Sequence, residues 1–389
     1  MAARLVYIPR MCDHAETLAA ALRRCGVPAE VLPPTDEKTL ELGRKYTSGK
    51  ECHPFTVTTG DFLKKITEPG FDPQRSAFLM PTASGPCRFG QYHQTQRIIL
   101  DRLGYRDVPI FSPDVRDSYG RSMGLGLKFR RLAWRGIVAV DLLNELAAAI
   151  RPDEKTSGAA DKLHAYYLAM ISKAIEAKNG GIFKTVKEMK RDFFALPRLN
   201  PGHKPLIGIV GEIFLRCNPA CNADIVRKVE KLGGRTYTAP ISEWFYYTNL
   251  GYIYESWLRR SPQGFARALL ADLIQRWDER RLGHRQPSAL KLIRLASPYL
   301  HHTFKGEAIL SIGKALDLIE NGAAGIINIM PFTCMPGTVV SAIAKQIEIP
   351  WLDVSIDGTE GVNLEIRLEA FMHQAASYKK SVPRARERK

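Results

Sequence analysis

Three of the seven cysteines stand where a thiol can do chemistry. Cys334 lies within the stretch from Ile327 to Ile347. Ile326 to Ile329 is a short apolar, β-prone run of the kind a buried strand shows. Met330-Pro331 is expected to stop that strand, since proline donates no ladder hydrogen bond. A tight turn holds the cysteine, and Pro336-Gly337-Thr338 opens an apolar helix, with Pro336 suited to a first helical position. The same order of parts occurs earlier: strand Ala77-Phe78-Leu79, stop Met80-Pro81, turn Thr82 to Pro86, then Cys87, then a helix from Arg88 to Leu103. Cys52, in Gly49-Lys50-Glu51-Cys52-His53-Pro54, also precedes an expected helix, Phe55 to Ile66.

The position is chemically specific. Ligands of open α/β sheets gather beyond the carboxyl ends of the strands. The unpaired N–H groups and dipole of a helix N-terminus favour an anion there, so a cysteine in that place tends toward thiolate, the metal-binding form. Three cysteines from separate segments can therefore converge on one soft metal centre. Three thiolates would leave one iron of a cubane cluster without a protein sulfur, open to substrate or solvent. Pattern alone also allows three unrelated cysteines near turns.

Other candidates carry less. There is no CxxC pair, and Cys217 with Cys221 is a CxxxC without a second pair, which argues against structural zinc. Cys12 and Cys25, on or beside the first helix, read as core or surface thiols. His14, His53, His93, His301 and His302 are each possible acid/base groups, and His53 stands out only because it abuts Cys52. Trp244-Phe245-Tyr246-Tyr247 reads as core or interface before it reads as a platform for a flat ligand. Gly208-Ile209-Val210-Gly211-Glu212 lacks the third glycine and spacing of a dinucleotide turn, and no GxxxxGK[ST] phosphate loop occurs.

Composition bounds the class. With 389 residues, 45% hydrophobic and 25% charged, the chain reads as globular with ample core, in one sprawling domain or two to three compact ones. No apolar run approaches a membrane span, and MAARLVYIPR lacks the apolar stretch of a secretory signal. An odd cysteine count without disulfide spacing suits a reducing cytoplasm. The net charge of +16 includes +5 from the tail after Ser377, and the rest favours acidic partners such as phosphate-bearing coenzymes, an electron-donor protein or nucleic acid.

In order, Arg4 to Pro9, His14 to Cys25 and Ala29 to Leu32 read as a β-α-β opening, which implies a parallel sheet. Residues 1–116 are expected to form a first α/β domain carrying Cys52 and Cys87. Residues 117–200 read as a helical segment and linker, with helices over Leu127 to Ile150, Asp161 to Ala177 and Phe183 to Phe194. Residues 201–377 read as a second α/β domain carrying Cys334, with a helical insertion over 252–295 that could act as a lid, although such insertions are more often plain packing. Residues 378–389 form a basic tail. The fold class is thus α/β, with two Rossmann-like, doubly wound parallel-sheet domains.

Several longer stretches carry a resemblance: YTSGKECHPFTVTTGD, PTASGPCRFGQYHQ, GEIFLRCNP, APISEW and the MPFTCMPG segment. In this order, over nearly the whole chain, they resemble the 2-hydroxyacyl-CoA dehydratase D-component superfamily, and within it the branch of CoA-substrate-specific enzyme activase-related proteins (CoA protein activases). The resemblance implies Rossmann-like domains around an oxygen-sensitive [4Fe-4S] cluster held by three cysteines, here Cys52, Cys87 and Cys334. It also implies a separate ATP-dependent activase of actin-like fold that supplies a low-potential electron for radical dehydration, or ATP-driven reduction, of an acyl-CoA-like substrate. A homologous second subunit or a homodimer is part of the same expectation. Where relatives carry a second cysteine three positions after the first, this chain has Phe55, which disfavours a double-cubane cluster. Arg88 and Lys50 would add positive field beside the cluster, with Glu51 opposing it.

Three readings from different classes follow. One is an iron–sulfur redox enzyme subunit of dehydratase or reductase type. The second is a non-catalytic cluster carrier or activase-associated partner. The third, a nucleic-acid-binding protein, has a basic surface but no helix-turn-helix, zinc-finger or RNA-binding signature.

Overall fold

The computed structural model describes residues 4–83, 85, 87–114, 123–199, 201–358 and 363–381. Along the first part of the chain run β1 (Leu5–Ile8), α1 (His14–Arg24), β2 (Ala29–Val31), α2 (Glu37–Lys45), α3 (His53–Ile66), β3 (Ser76–Leu79), a 3₁₀ turn (Arg88–Gln91), α4 (Tyr92–Arg102) and β4 (Ile110–Phe111). Helices α5 (Leu127–Ile150), α6 (Ala159–Glu176) and α7 (Ile182–Phe194) follow. Then come β5 (Leu206–Gly211), α8 (Ile213–Cys217), α9 (Ile225–Lys231), β6 (Arg235–Thr238), α10 (Ser242–Leu258), α11 (Pro262–Leu282) and α12 (Ala289–Ala296). The chain closes with α13 (Glu307–Glu320), β7 (Gly325–Pro331), α14 (Met335–Ala344), β8 (Trp351–Ile356) and α15 (Leu364–Ser381).

The protein is α/β, with two four-stranded, all-parallel sheets ordered β2-β1-β3-β4 and β6-β5-β7-β8. Read from the first strand of each, the two orders are the same. In both, successive connections leave the first strand in opposite directions, so a crevice opens at its carboxyl end, beside the third strand. The strands are short and nearly continuous in apolar residues, as sheets covered on both faces require.

The compact units interleave along the sequence. One comprises Met1–Asn144, Leu163–Asp192 and Ile241–Ala289; the other comprises Glu145–Lys162, Phe193–Pro240 and Leu290–Lys389. In the first unit, α10 and α11 pack into the core rather than form a lid. Trp134 on α5 donates through Nε1 to the Gln275 carbonyl, and the fully buried Asp278 receives both Arg131 and Arg135. The helix α10 begins at Ser242 and so includes Trp244 to Tyr247, although aromatic runs favour strands in isolation. Packing decides it: Phe245 and Tyr246 stand edge-on to the buried Trp134, and Tyr246 donates to Glu279.

In the second unit, β7 runs through Pro331, which pairs with Ile356, so the expected stop at Met330-Pro331 falls later. Proline is tolerated there because the next N–H, that of Phe332, takes the Ile356 carbonyl. The two glycines of the Gly208–Gly211 run serve strand packing. A Cβ on Gly208 would meet Ile326 and Leu318, and one on Gly211, at φ +106°, would lie 2.1 Å from the Ile329 carbonyl oxygen. The tail is helical as far as Ser381, with Lys379 donating to the carbonyls of Gly202, His203 and Lys204. Residues 382–389 lie outside the described residues. No helix among the described residues is long and apolar enough to cross a membrane.

Candidate metal centre

All three candidate ligands occupy the same local position. Cys52 is the N-cap of α3, Cys87 of the 3₁₀ turn leading into α4, and Cys334 of α14. Their backbones are alike: φ/ψ of −72/149°, −73/134° and −69/115°. In this extended conformation the residue's carbonyl starts the helix while its side chain is set before the open N–H groups of the first turn. Cys52 and Cys334 also share a local sequence, Cys-x-Pro, with Pro54 and Pro336 in the first helical positions. That repeated tripeptide is a signal in the sequence more specific than the turns themselves.

In the first unit, the Cys52 and Cys87 segments are tied to one another. Arg88 donates to the Lys50 carbonyl at 2.5 Å. Tyr92, five residues after Cys87, places its hydroxyl 2.5 Å from the Cys52 sulfur. Cys52 is buried, and Phe55 packs edge-on to Tyr92 at 5.1 Å, forming an aromatic wall beside it. Cys87 is half-buried. The loop before it is held by Thr82, whose hydroxyl donates to the Gly90 carbonyl. Ser84 and Pro86, in the expected turn, lie outside the described residues.

The charged groups beside this pair are engaged locally. Arg88 is engaged with a backbone carbonyl. Burial works against ionisation of Glu51, but hydrogen bonds from backbone N–H groups of residues 48, 50 and 51 and from the Ser48 hydroxyl outweigh it and hold its carboxyl below the usual range. Glu51 is thus an anion folded back on its own loop.

In the second unit, Cys334 is buried and its sulfur accepts from the Gly337 N–H at 3.4 Å. The start of α14 presses on the strand end, since a Cβ on Gly337 would lie 2.5 Å from the Met330 sulfur. Thr333, just before the cysteine, is left-handed at φ +66°, a conformation that costs a β-branched residue about 1–3 kcal/mol. Strain of that kind is retained where surrounding structure enforces it.

Chemically the set suits iron–sulfur ligation: three reduced cysteines, two with hydrogen-bond partners on sulfur of the kind that tune cluster potential. Within neither unit, among the described residues, does a group of three or more His, Cys, Asp or Glu side chains come together to hold a metal ion. Cys217 closes α8 and Cys221 is buried in the turn after it.

No protein-family model and no curated protein matches the chain.

The histidines sort differently from their expected ranking. His53 is buried as the first residue of α3. Burial lowers the His93 pKa. His301 and His302 are exposed and lie against each other, with ring centroids 4.2 Å apart. His14 joins a buried ion pair, through Nε2 to Asp141 at 2.9 Å. Those two residues are 127 apart in sequence, and nothing local announces the pairing.

Proposed function

We propose that this chain is an iron–sulfur protein of the 2-hydroxyacyl-CoA dehydratase type, with Cys52, Cys87 and Cys334 as ligands of a [4Fe-4S] cluster. The observation that carries the reading is the shared posture of the three cysteines, each the N-cap of a helical turn with the same extended backbone. The quoted motifs, which run in family order along the chain, support it independently. Cys52 and Cys87 are joined by Arg88 and Tyr92 inside one unit, which supports their pairing, and the proposal adds Cys334 from the motif alone.

Bound in this way, the cluster would supply low-potential single-electron chemistry to an acyl-CoA-like substrate at the iron without a thiolate. The chain's own contribution is ligation, burial and hydrogen bonding. The Tyr92 hydroxyl and the Gly337 N–H stabilise negative charge on sulfur, and Phe55 excludes water beside Cys52. With no phosphate loop in the chain, ATP hydrolysis falls to a separate activase with an actin-like fold. A cytoplasmic setting, where thiols stay reduced, suits this chemistry.

Anaerobic purification with iron and sulfide analysis and a visible spectrum tests the reading. The expected result is about four iron and four sulfide per chain, or per dimer if the cluster is shared. Turnover with an activase, ATP and a 2-hydroxyacyl thioester separates an enzyme subunit from a cluster carrier. A Cys87→Ser protein that keeps its full iron would refute the ligand set.

A further inference from the structure

A second cysteine site lies in the first unit, at the carboxyl end of β1, where the strand order reverses. Five residues, Pro9 to Asp13, join β1 to α1, and Cys12 stands half-buried among them. His14, the first residue of α1, is only 6% exposed. Its Nε2 donates to Asp141 on α5 at 2.9 Å. Asp141 is equally buried and accepts two further bonds, from the backbone N–H groups of Ile241 at 3.0 Å and Ser242 at 2.9 Å. Three donors fix the carboxylate, and it in turn fixes the plane of the imidazole.

The other ring nitrogen is the informative one. His14 Nδ1 is buried and makes no hydrogen bond of good geometry, an uncommon state for a buried polar atom. Besides Asp141, the side chain that acts on this ring is that of Cys12, two residues earlier in the chain. Burial alone would lower the His14 pKa, but the charges of Cys12 and Asp141 reverse that and raise it to about 10. Burial works to raise the Asp141 pKa, but His14, His284 and Ser242 together outweigh it and hold the carboxyl below its usual range. The ring is therefore an imidazolium at neutral pH, with one proton committed to Asp141 and the other directed toward Cys12. A thiol facing an imidazolium that a carboxylate orients is the arrangement of an activated cysteine nucleophile.

We propose that Cys12 is a nucleophile toward acyl carbon, with His14 as its proton donor and acceptor and Asp141 as a positioning residue, acting on a thioester or activated ester. In the first step Cys12, as the thiolate of a thiolate–imidazolium pair, bonds through sulfur to the carbonyl carbon, and the bond from that carbon to the leaving sulfur or oxygen breaks. The leaving group takes the Nδ1 proton, which yields S-acyl-Cys12 and neutral His14. In the second step water adds to the same carbon and gives a proton to His14, and the thiolate departs. Acyl transfer uses the Nδ1 proton in both steps. The inference rests on Cys12, His14 and Asp141 alone and holds with or without a metal at Cys52, Cys87 and Cys334.

The test uses the intact chain. Cys25, at the other end of α1, is also half-exposed, but burial raises its pKa, so it serves as an internal control. With limiting iodoacetamide at pH 7 and peptide mass mapping, Cys12 should be labelled at least about tenfold faster than Cys25. With p-nitrophenyl acetate, a burst of nitrophenolate should accompany an acetyl group on the Cys12 peptide, absent in Cys12→Ala. His14→Gln should cut both rates at least about tenfold while the thermal transition stays within a few degrees. If that variant fails to fold, the wild-type comparison of Cys12 with Cys25 still decides. Equal labelling of the two thiols, or no acetyl group on Cys12, would overturn the proposal.

Discussion

In the first sheet the loop after the third strand carries Cys87, and in the second the loop after the third strand carries Cys334. The helix that leads into the third strand begins in one case at Cys52 and in the other after Gly306, at φ +113°, with no cysteine. Both of these helices, α3 and α13, also carry a glycine where the preceding helix touches them. A Cβ on Gly60 would lie 1.9 Å from the Thr39 carbonyl oxygen, and one on Gly313 would lie 2.2 Å from that of Leu292. Both bury charged side chains as well: Asp61 in α3, and Glu307, Lys314 and Asp317 in α13. Two sheets of one topology thus share their scaffold contacts and one cysteine position, while the second cysteine belongs to the first sheet alone. Packing constrains what the halves have in common; the proposed chemistry draws on where they differ.

The sharpest way to break this comparison is to replace its two matched cysteines. Cys87→Ser and Cys334→Ser should each lose most of the iron from anaerobically prepared protein, measured by colorimetric iron and the visible spectrum. Loss in the first variant alone would confine the centre to the first unit and end the equivalence.

The glycines come next. Gly60→Ala and Gly313→Ala each force a Cβ into a backbone carbonyl, and each should destabilise by about 2–4 kcal/mol in urea unfolding. A neutral result at either position would show that the two helix contacts are not alike.

The buried charges sharpen the contrast further. Burial pushes the Asp61 carboxyl up from 3.8 to about 7, with Lys64 pulling against it. Its folded pKa lies above its unfolded value, so the carboxylate weakens the fold progressively as pH rises through that interval and most above about 7. Asp61→Asn should therefore stabilise at pH 8, by on the order of 2 kcal/mol, and change little near pH 3.5. Lys314, which lies 5.2 Å from the Tyr237 ring centroid, should not tolerate the corresponding neutral replacement so well.

The smallest effect concerns the cysteine without a counterpart. Tyr92→Phe removes the hydroxyl from the Cys52 sulfur and should weaken iron retention about tenfold in a chelator competition. Unchanged retention would mean that the hydroxyl does not tune a ligand.

Much of this architecture is written locally. Leu127 to Ile150 reads as a helix from apolar spacing and is one, and β1, β5 and β8 follow from short apolar runs between breakers. The three cysteine positions are legible for the same reason, since a helix start is set by a few adjacent residues. What escaped is decided at long range. The helical start of α10 depends on Trp134, more than a hundred residues earlier, and the His14–Asp141 pair joins α1 to α5 with no sequence pattern at either end. Gly60 and Gly313 show the same limit: a glycine in a helix interior reads as a weakness until the neighbouring backbone is seen.

The interleaving of the two units bears on biosynthesis. Trp134 finds the Gln275 carbonyl and Arg135 finds Asp278 only after about 280 residues have been made, so the first α/β half cannot mature while it alone has left the ribosome. A nascent chain of that length exposes the α5 surface that α11 later covers, and it calls for chaperone protection until residue 289 has emerged. Splitting the gene near residue 200 would accordingly yield two insoluble fragments rather than two autonomous proteins.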